Sequence, residues 1–269
     1  MGQTPFCCPL IFVPDTKLTR PADSAAAIPG DDLNGDLTQR VCVATTAMPW
    51  MASPSAGVWR KRVHRVGPAE SGQVTSVVRY DAQSTFPAHE HPDGEEILVL
   101  EGVFTDERRD WPAGSFMLNP EGFRHAPSSR EGCVIFVKLR QFPGRKRHQV
   151  ALDTEALDWL PDRKTAGVEI KQLYSQSGFE DRTRIERWAA GFGPVLREYA
   201  GGAEYFVLAG GFSDEAGSYG KGDWLRLPTG ASHRPQSAGG CTLYLKTGGH
   251  RYLRQSNSAA RSVGQETAI

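Results

Sequence analysis

The chain has no run of apolar residues near the roughly 20 that a membrane-crossing helix requires, and no net charge, since 31 basic residues balance 31 acidic ones. Without a long basic stripe, neither nucleic acid nor an anionic membrane is an expected partner, and Arg145 to His148 reads as a solvated linker. Cysteine is scarce. The five present, Cys7, Cys8, Cys42, Cys133 and Cys241, are odd in number and show no CxxC spacing, which points to free thiols in a reducing compartment. Near the start, Phe6 stands where an N-myristoylation motif needs Ser or Thr, and the apolar stretch ending at Val13 is short for a signal-peptide core. A soluble, cytoplasmic protein is expected.

What the chain does have is chemistry concentrated between His89 and His125. His89 and His91 are two apart, so on a β-strand both project from one face. Pro92, Asp93 and Gly94 suggest a turn that returns Glu95 to the same place at the head of the apolar run Ile97 to Leu100. His125 joins from a second segment, cornered by Gly114, Pro120 and Gly122. Three imidazoles and a carboxylate on one ion would leave positions open for substrate. That donor set suits Fe(II), Mn(II), Ni(II), Cu(II) or Zn(II), which affinity alone does not separate.

The spacing of His89, His91, Glu95 and Gly102, then Gly114, Pro120, Gly122 and His125, resembles the paired motifs of the cupin superfamily. Ser129 stands where the second motif often has Asn. The text from Gly94 to Glu107, with Trp111 to Gly122 and Phe136 to Leu139, is similar to the cupin domain of ChrR-type anti-sigma factors and free-standing ChrR-like cupins. The resemblance implies a metal held by His89, His91, Glu95 and His125. It also implies either dioxygenase chemistry on small oxygenated compounds or a zinc-binding sensory role. A sigma-binding domain of that family carries its own His and Cys ligands; the first 45 residues here are short for one and contain no histidine.

Beyond the motifs, short β-rich runs alternate with Gly, Pro and Asp: Val74 to Tyr80, Glu96 to Leu100, Ser115 to Leu118 and Val134 to Leu139, with an edge strand expected within Cys42 to Trp50. Helices should be few. A shift of 108 residues then maps His125 to His233, Gly114 to Gly222, Pro120 to Pro228, Gly102 to Gly210, Asp106 to Asp214 and Cys133 to Cys241. Such self-similarity marks a tandem duplication. The expected fold is all-β, two tandem cupin (double-stranded β-helix, jelly-roll) barrels. The expected divisions are an N-terminal arm at 1–40, a metal-bearing barrel at 41–142, a connector at 143–166, a degenerate barrel at 167–250 and a tail at 251–269.

The repeat sorts residues by role. At the ligand positions the second copy has Arg197, Tyr199 and Ala203 and keeps only His233, so metal is expected in the first barrel alone. Arg79, Glu96 and Lys138 recur as Arg187, Glu204 and Lys246, which favours structural roles; Cys133 reads as a buried thiol. His233 with Arg197 and Tyr199 reads as a hydrogen-bonded relic, with anion binding as the alternative. His64, His148 and His250 lack partners at metal spacing and are expected to be exposed. Phe104, Trp111, Phe116, Met117 and Phe123 are core or pocket wall. The function expected is a mononuclear metal-dependent enzyme, foremost an Fe(II) dioxygenase on a small oxygenated substrate, with Glu95 a possible base and a homodimer a possible assembly. The alternatives are a zinc sensory module and a metal-dependent lyase or isomerase.

Overall fold

The computed structural model describes residues 32–256. Its strands follow the two-residue period. In Cys133–Leu139, Cys133, Ile135 and Val137 enter one core while Val134 and Phe136 face the opposite way into another. Both faces of the sheet are covered, and an unbroken apolar run such as Ile97 to Leu100 is the signature of such a strand.

Each repeat is built the same way. The first contributes a ten-stranded sheet in which Ser115–Asn119, Glu95–Thr105, Cys133–Leu139, Gln73–Tyr80 and Val58–Val66 lie side by side, and a two-stranded sheet of His89–His91 with Phe123–His125. The second has Asp223–Leu227, Ala203–Asp214, Cys241–Thr247, Arg182–Trp188 and Val168–Ser175 in the same order, and pairs Arg197–Tyr199 with Ala231–His233. The chain is all-β and folds as two jelly-roll repeats. Gly102 sits beside the register shift between its strand and Cys133–Leu139; its φ is +70° and a Cβ there would lie 2.1 Å from Gly132 O. Only glycine fits. Gly210 repeats this against Gly240 O at 2.2 Å.

The large sheets pack on each other through Val63, Val77, Leu98, Phe116 and Phe136 on one side and Leu173, Ile185, Phe206, Trp224 and Tyr244 on the other. Phe136 and Phe206 stack with ring centroids 4.5 Å apart. The repeats also exchange strands. Val41–Ala44, at the start of the first repeat, pairs with Asp223–Leu227 at the edge of the second sheet, whereas Val150–Asp153 from the expected connector pairs with Ser115–Asn119 of the first. The edge strand anticipated within Cys42 to Trp50 is therefore four residues long and belongs to the other repeat's sheet, and the segment 143–166 is in part a strand rather than a linker. Sequence periodicity gives a strand's existence and faces, but its partner depends on where the chain crosses.

The recurrent charges occupy this interface. Lys138 Nζ reaches Glu204 Oε2 of the other repeat at 2.6 Å, and Lys246 Nζ reaches Glu96 Oε2 at 3.2 Å and Asp181 Oδ2 at 3.1 Å. Arg79 lies over Trp50 and Trp59, and Arg187 over Trp159.

Residues 1–31 of the expected N-terminal arm, and 257–269 of the tail, lie outside the described residues. The rest of the arm is tied down: Leu33 and Arg65 exchange backbone hydrogen bonds, and Ser256 N donates to Gly35 O, so the two ends meet. Beneath them His64 is fully buried and His250 nearly so, which corrects the expectation that both are exposed; His148 alone is exposed. His64 Nδ1 lies 3.1 Å from both Asn34 O and Arg226 Nη1. Neither histidine is adjacent in sequence to its contacts, so no local pattern announced their burial. Burial, seconded by the Arg226 charge, lowers the His64 pKa to about 4. A histidine depressed in the folded state contributes stability that is present above its unfolded pKa and lost as pH falls. Between pH 6.5 and 4, His64 should remove on the order of 3 kcal/mol of stability. Urea unfolding across that range should show a shallower pH slope in His64→Gln than in the parent chain.

Candidate metal centre

The His89–His91 and Phe123–His125 strands pair antiparallel, setting His125 opposite His89 and Phe123 opposite His91. All four rings then share one face of a small ribbon. The turn after His91 places Asp93 at φ +58° and Gly94 at φ +71°, two successive left-handed residues, and Gly94 N donates back to His91 O at 3.2 Å. Gly94 is required there, since a Cβ would lie 2.8 Å from Asn119 O and 2.9 Å from Phe142 Cβ. The reversal delivers Glu95, buried, to the start of the long strand.

His89, His91 and His125 each offer a ring nitrogen within 4.8 Å of the others, a group able to hold a metal ion. His91 Nε2 and His125 Nε2 are 2.9 Å apart. Two adjacent ligands at ordinary Zn–N lengths on one octahedral ion would be about 3 Å apart, so the pair already has that spacing. Glu95 Oε2 stands 3.6 Å from both nitrogens. The structure thus brings all four sequence-predicted residues together, the imidazoles most tightly and Glu95 beside two of them.

Supporting groups fix their orientation. His89 Nδ1 donates to Pro87 O at 2.8 Å, leaving Nε2 for a metal. Asn119 Nδ2 donates to Glu95 Oε2 at 3.1 Å. Asp106 Oδ2 lies 3.7 Å from His125 Nδ1 and takes Arg108 Nε at 2.9 Å, while Oδ1 accepts Trp111 Nε1 at 2.9 Å. Burial would raise the Asp106 carboxyl, but His125, Arg108 and Trp111 outweigh it and hold the group well below the usual carboxylate range. Burial also lowers His91 to about 4, with His125 and His89 adding to the effect against Glu95, so its imidazole is neutral near pH 7. A neutral imidazole offers a lone pair.

Sequence reasoning did not single out Asn119 or give Asp106 a role. A signal for Asn119 existed: its counterpart is Leu227, so it disappears from the second copy along with Glu95, whose counterpart is Ala203. Asp106 recurs as Asp214, which hydrogen-bonds His233 Nδ1 at 2.8 Å. Of the aromatic residues left unassigned, Phe104 lines the centre and Phe123 lies with its ring 5.4 Å from that of His125, whereas Phe116 packs between the sheets.

A cavity of about 70 Å³ opens on the imidazoles, walled by apolar side chains including Val78, Phe86, Phe104, Ile135 and Val137. In the second repeat larger groups stand at the equivalent positions. Glu186 replaces Val78, Trp188 replaces Tyr80 and Tyr205 replaces Ile97. Arg197 makes two hydrogen bonds to Glu186, at 2.6 and 2.9 Å, and Tyr205 links Tyr199 to His233. Arg197 is thereby committed to an internal carboxylate, which supports the relic reading over an anion site. A larger cavity of about 530 Å³ lies between the repeats, where Val77 and Leu98 face Ile185 and Phe206, but none of the three imidazoles lines it.

Among solved structures, a proposed dioxygenase from Nostoc punctiforme is similar at 16% identity over 77% of this chain and 82% of its own, with a TM-score of 0.64. The bacterial pirin YhhW from Escherichia coli, in complex with nickel(II), matches at 13% identity over 78% and 98%, TM-score 0.57. A salicylate 1,2-dioxygenase from Pseudaminobacter salicylatoxidans matches at 13% identity over 75% and 76%, TM-score 0.52. At such identities the likeness is one of fold. No curated protein matches the sequence. The family model described as the ChrR cupin-like domain matches twice, over residues 38–143 and 147–251, and the chain belongs to that family as a two-repeat cupin.

Proposed function

We propose that the first repeat is the seat of a mononuclear metal-dependent enzyme, a dioxygenase acting on a small oxygenated substrate, with His89, His91, Glu95 and His125 holding one divalent ion, Fe(II) in the first instance. The observation that carries this reading is the contrast between the repeats: one gathers three imidazoles around a cavity, and the other packs larger side chains at the equivalent places. When bound, such an ion supplies a Lewis-acidic, redox-active centre. The chain's own residues do the rest. Pro87 O fixes the tautomer of His89, Asn119 holds the Glu95 carboxylate, and the apolar walls keep bulk water from the substrate. Glu95 Oε2, beside two imidazoles, is also placed to accept a proton from a substrate carbon or hydroxyl. Two of the similar structures bear dioxygenase names, which supports the reaction class.

The family match favours a second reading, a ChrR-like sensory module in which zinc at the same residues stabilises the fold for a partner. Metal analysis of the purified chain with oxygen-electrode assays separates the two. The enzyme reading expects about one redox-active ion per chain and oxygen uptake that depends on an added organic substrate. Tightly held zinc with no uptake across a panel of small oxo and hydroxy compounds would overturn it. No helix among the described residues is long and apolar enough to cross a membrane, and we place the enzyme in the cytoplasm, acting without nucleic acid.

A further inference from the structure

Tyr80 is 93% buried, being 7% exposed, and it lines the metal-centre cavity, yet its hydroxyl has no hydrogen-bond partner among the described residues. Its ring is held edge-on to Phe104, with centroids 5.9 Å apart, so the side chain is fixed. The oxygen itself keeps some accessible area, so it opens onto the cavity and is not sealed in the core. The second repeat acts as an internal control. There Trp188 occupies the equivalent position, and its Nε1 donates to Glu186 Oε2 at 2.7 Å. Where the cavity is filled, the polar group at this position is satisfied from within; where it is open, the group points at whatever enters.

Arg60 is the second feature that the repeat isolates. On its strand it is two residues from Val58, on the same face by the strand period, and both line the cavity. The second copy has Ile170 there. Arg60 Nη1 donates to Glu70 Oε2 at 2.7 Å, a carboxylate about half exposed. A guanidinium carries five N–H donors, and this pair engages Nη1, which leaves other donors able to serve a ligand. The other charged cavity-lining side chain, Glu95, belongs to the metal donors.

We infer that Tyr80 is the hydrogen-bond donor to the bound substrate and Arg60 its charge complement, so that the pocket selects a short carboxylate, such as a two- or three-carbon oxo or hydroxy acid, over a neutral ketone. The size limit follows from the cavity. About 70 Å³ corresponds to roughly five water-sized positions, which suits a three-carbon acid better than an aromatic ring. The inference rests on the proposed metal-dependent reading for the site's purpose, but not for its binding test.

The test uses the full chain loaded with zinc, so that no turnover intervenes, and calorimetric titration with pyruvate and with butane-2,3-dione, a neutral compound of the same size. The expected result is pyruvate binding in preference to the diketone. Tyr80→Phe should weaken pyruvate binding about tenfold or more at unchanged zinc content, and Arg60→Met should abolish the preference. Equal pyruvate affinity in Tyr80→Phe, equal affinity of the parent chain for both compounds, or no pyruvate binding at all would each overturn the inference. So would loss of zinc in Tyr80→Phe, which would make the phenol part of the metal scaffold. If the parent chain takes up no metal but still binds pyruvate through Tyr80, the metal reading fails and this one stands.

Discussion

In His91→Ala the bound metal should fall from about one ion per chain to near none, while Tyr199→Phe at the equivalent position of the second repeat should leave it unchanged. His91 is one of the four proposed donors, and its Nε2 is the atom 2.9 Å from His125 Nε2 and 3.6 Å from Glu95 Oε2. Removing it breaks the closest pair of the cluster and leaves His89, more exposed than His91 or His125, without its ring neighbour 4.6 Å away. A site so reduced has two imidazoles and a carboxylate, a set that can hold Fe(II) when all three face one ion; here the change also takes one of the two nitrogens that stand 3.6 Å from Glu95 Oε2. Because His91 lies on a three-residue strand at the edge of the cavity, the alanine should leave the two sheets intact, and the circular dichroism spectrum should not change. Elemental analysis after dialysis reads the outcome. Equal loss of metal from Tyr199→Phe would mean that the ion sits in the second repeat or between the two, and the one-site assignment would fail.

The convergence of His89, His91, Glu95 and His125 was legible in the sequence because each position rests on a local rule. Two histidines two apart fall on one strand face, a Pro-Asp-Gly turn returns the carboxylate, and the cornering glycines announce themselves by a need for positive φ. The duplication was legible because those same glycines recur. What was not legible depends on contacts between distant segments. The exchange of Val41–Ala44 for Val150–Asp153 leaves no trace in either strand's composition, since a strand paired at the edge of one sheet reads like a strand paired at the edge of another. His64 is covered by Asn34, 30 residues away, and by Arg226 of the other repeat, and His250 packs on Gly202, so counting histidines at metal spacing said nothing of their exposure. Glu96 and Lys138 were read as structural because they recur, but the structure adds that each finds its partner in the opposite copy.

That crossing makes Lys138 the position where a single change should cost most. Its ammonium is fully buried and is held by Glu204 Oε2 at 2.6 Å, Thr75 Oγ1 at 3.2 Å and Gln141 Oε1 at 3.3 Å. Burial alone would raise the Glu204 carboxyl; the Lys138 charge, with a smaller contribution from His250, outweighs it and brings the group down to about 2. In Lys138→Met the carboxylate keeps Trp224 Nε1 at 3.2 Å as a neutral donor but loses its counter-charge. Breaking one partner of a buried pair costs about 3–5 kcal/mol, which for a chain of this size corresponds to a fall in melting temperature of about 10 °C. The pH dependence should also invert. In the parent chain Glu204 is depressed below its unfolded value, so its contribution is present above pH 4.5 and is lost as pH falls toward 2. Without Lys138 the carboxyl is raised instead, the folded state takes up a proton, and the deficit should shrink as pH falls from 8 to 5. Replacing both partners, in Lys138→Met with Glu204→Leu, should recover most of the loss, because the penalty lies in the unpaired charge and not in the absent salt bridge. Lys246 should be less sensitive to loss of a single partner, since it has two carboxylates, Glu96 and Asp181, where Lys138 has one. If Lys138→Met melts with the parent chain, or if the double variant is less stable than the single, the ion pairs between the repeats do not hold them in register and the apolar packing of the two sheets, Phe136 on Phe206 included, must do so.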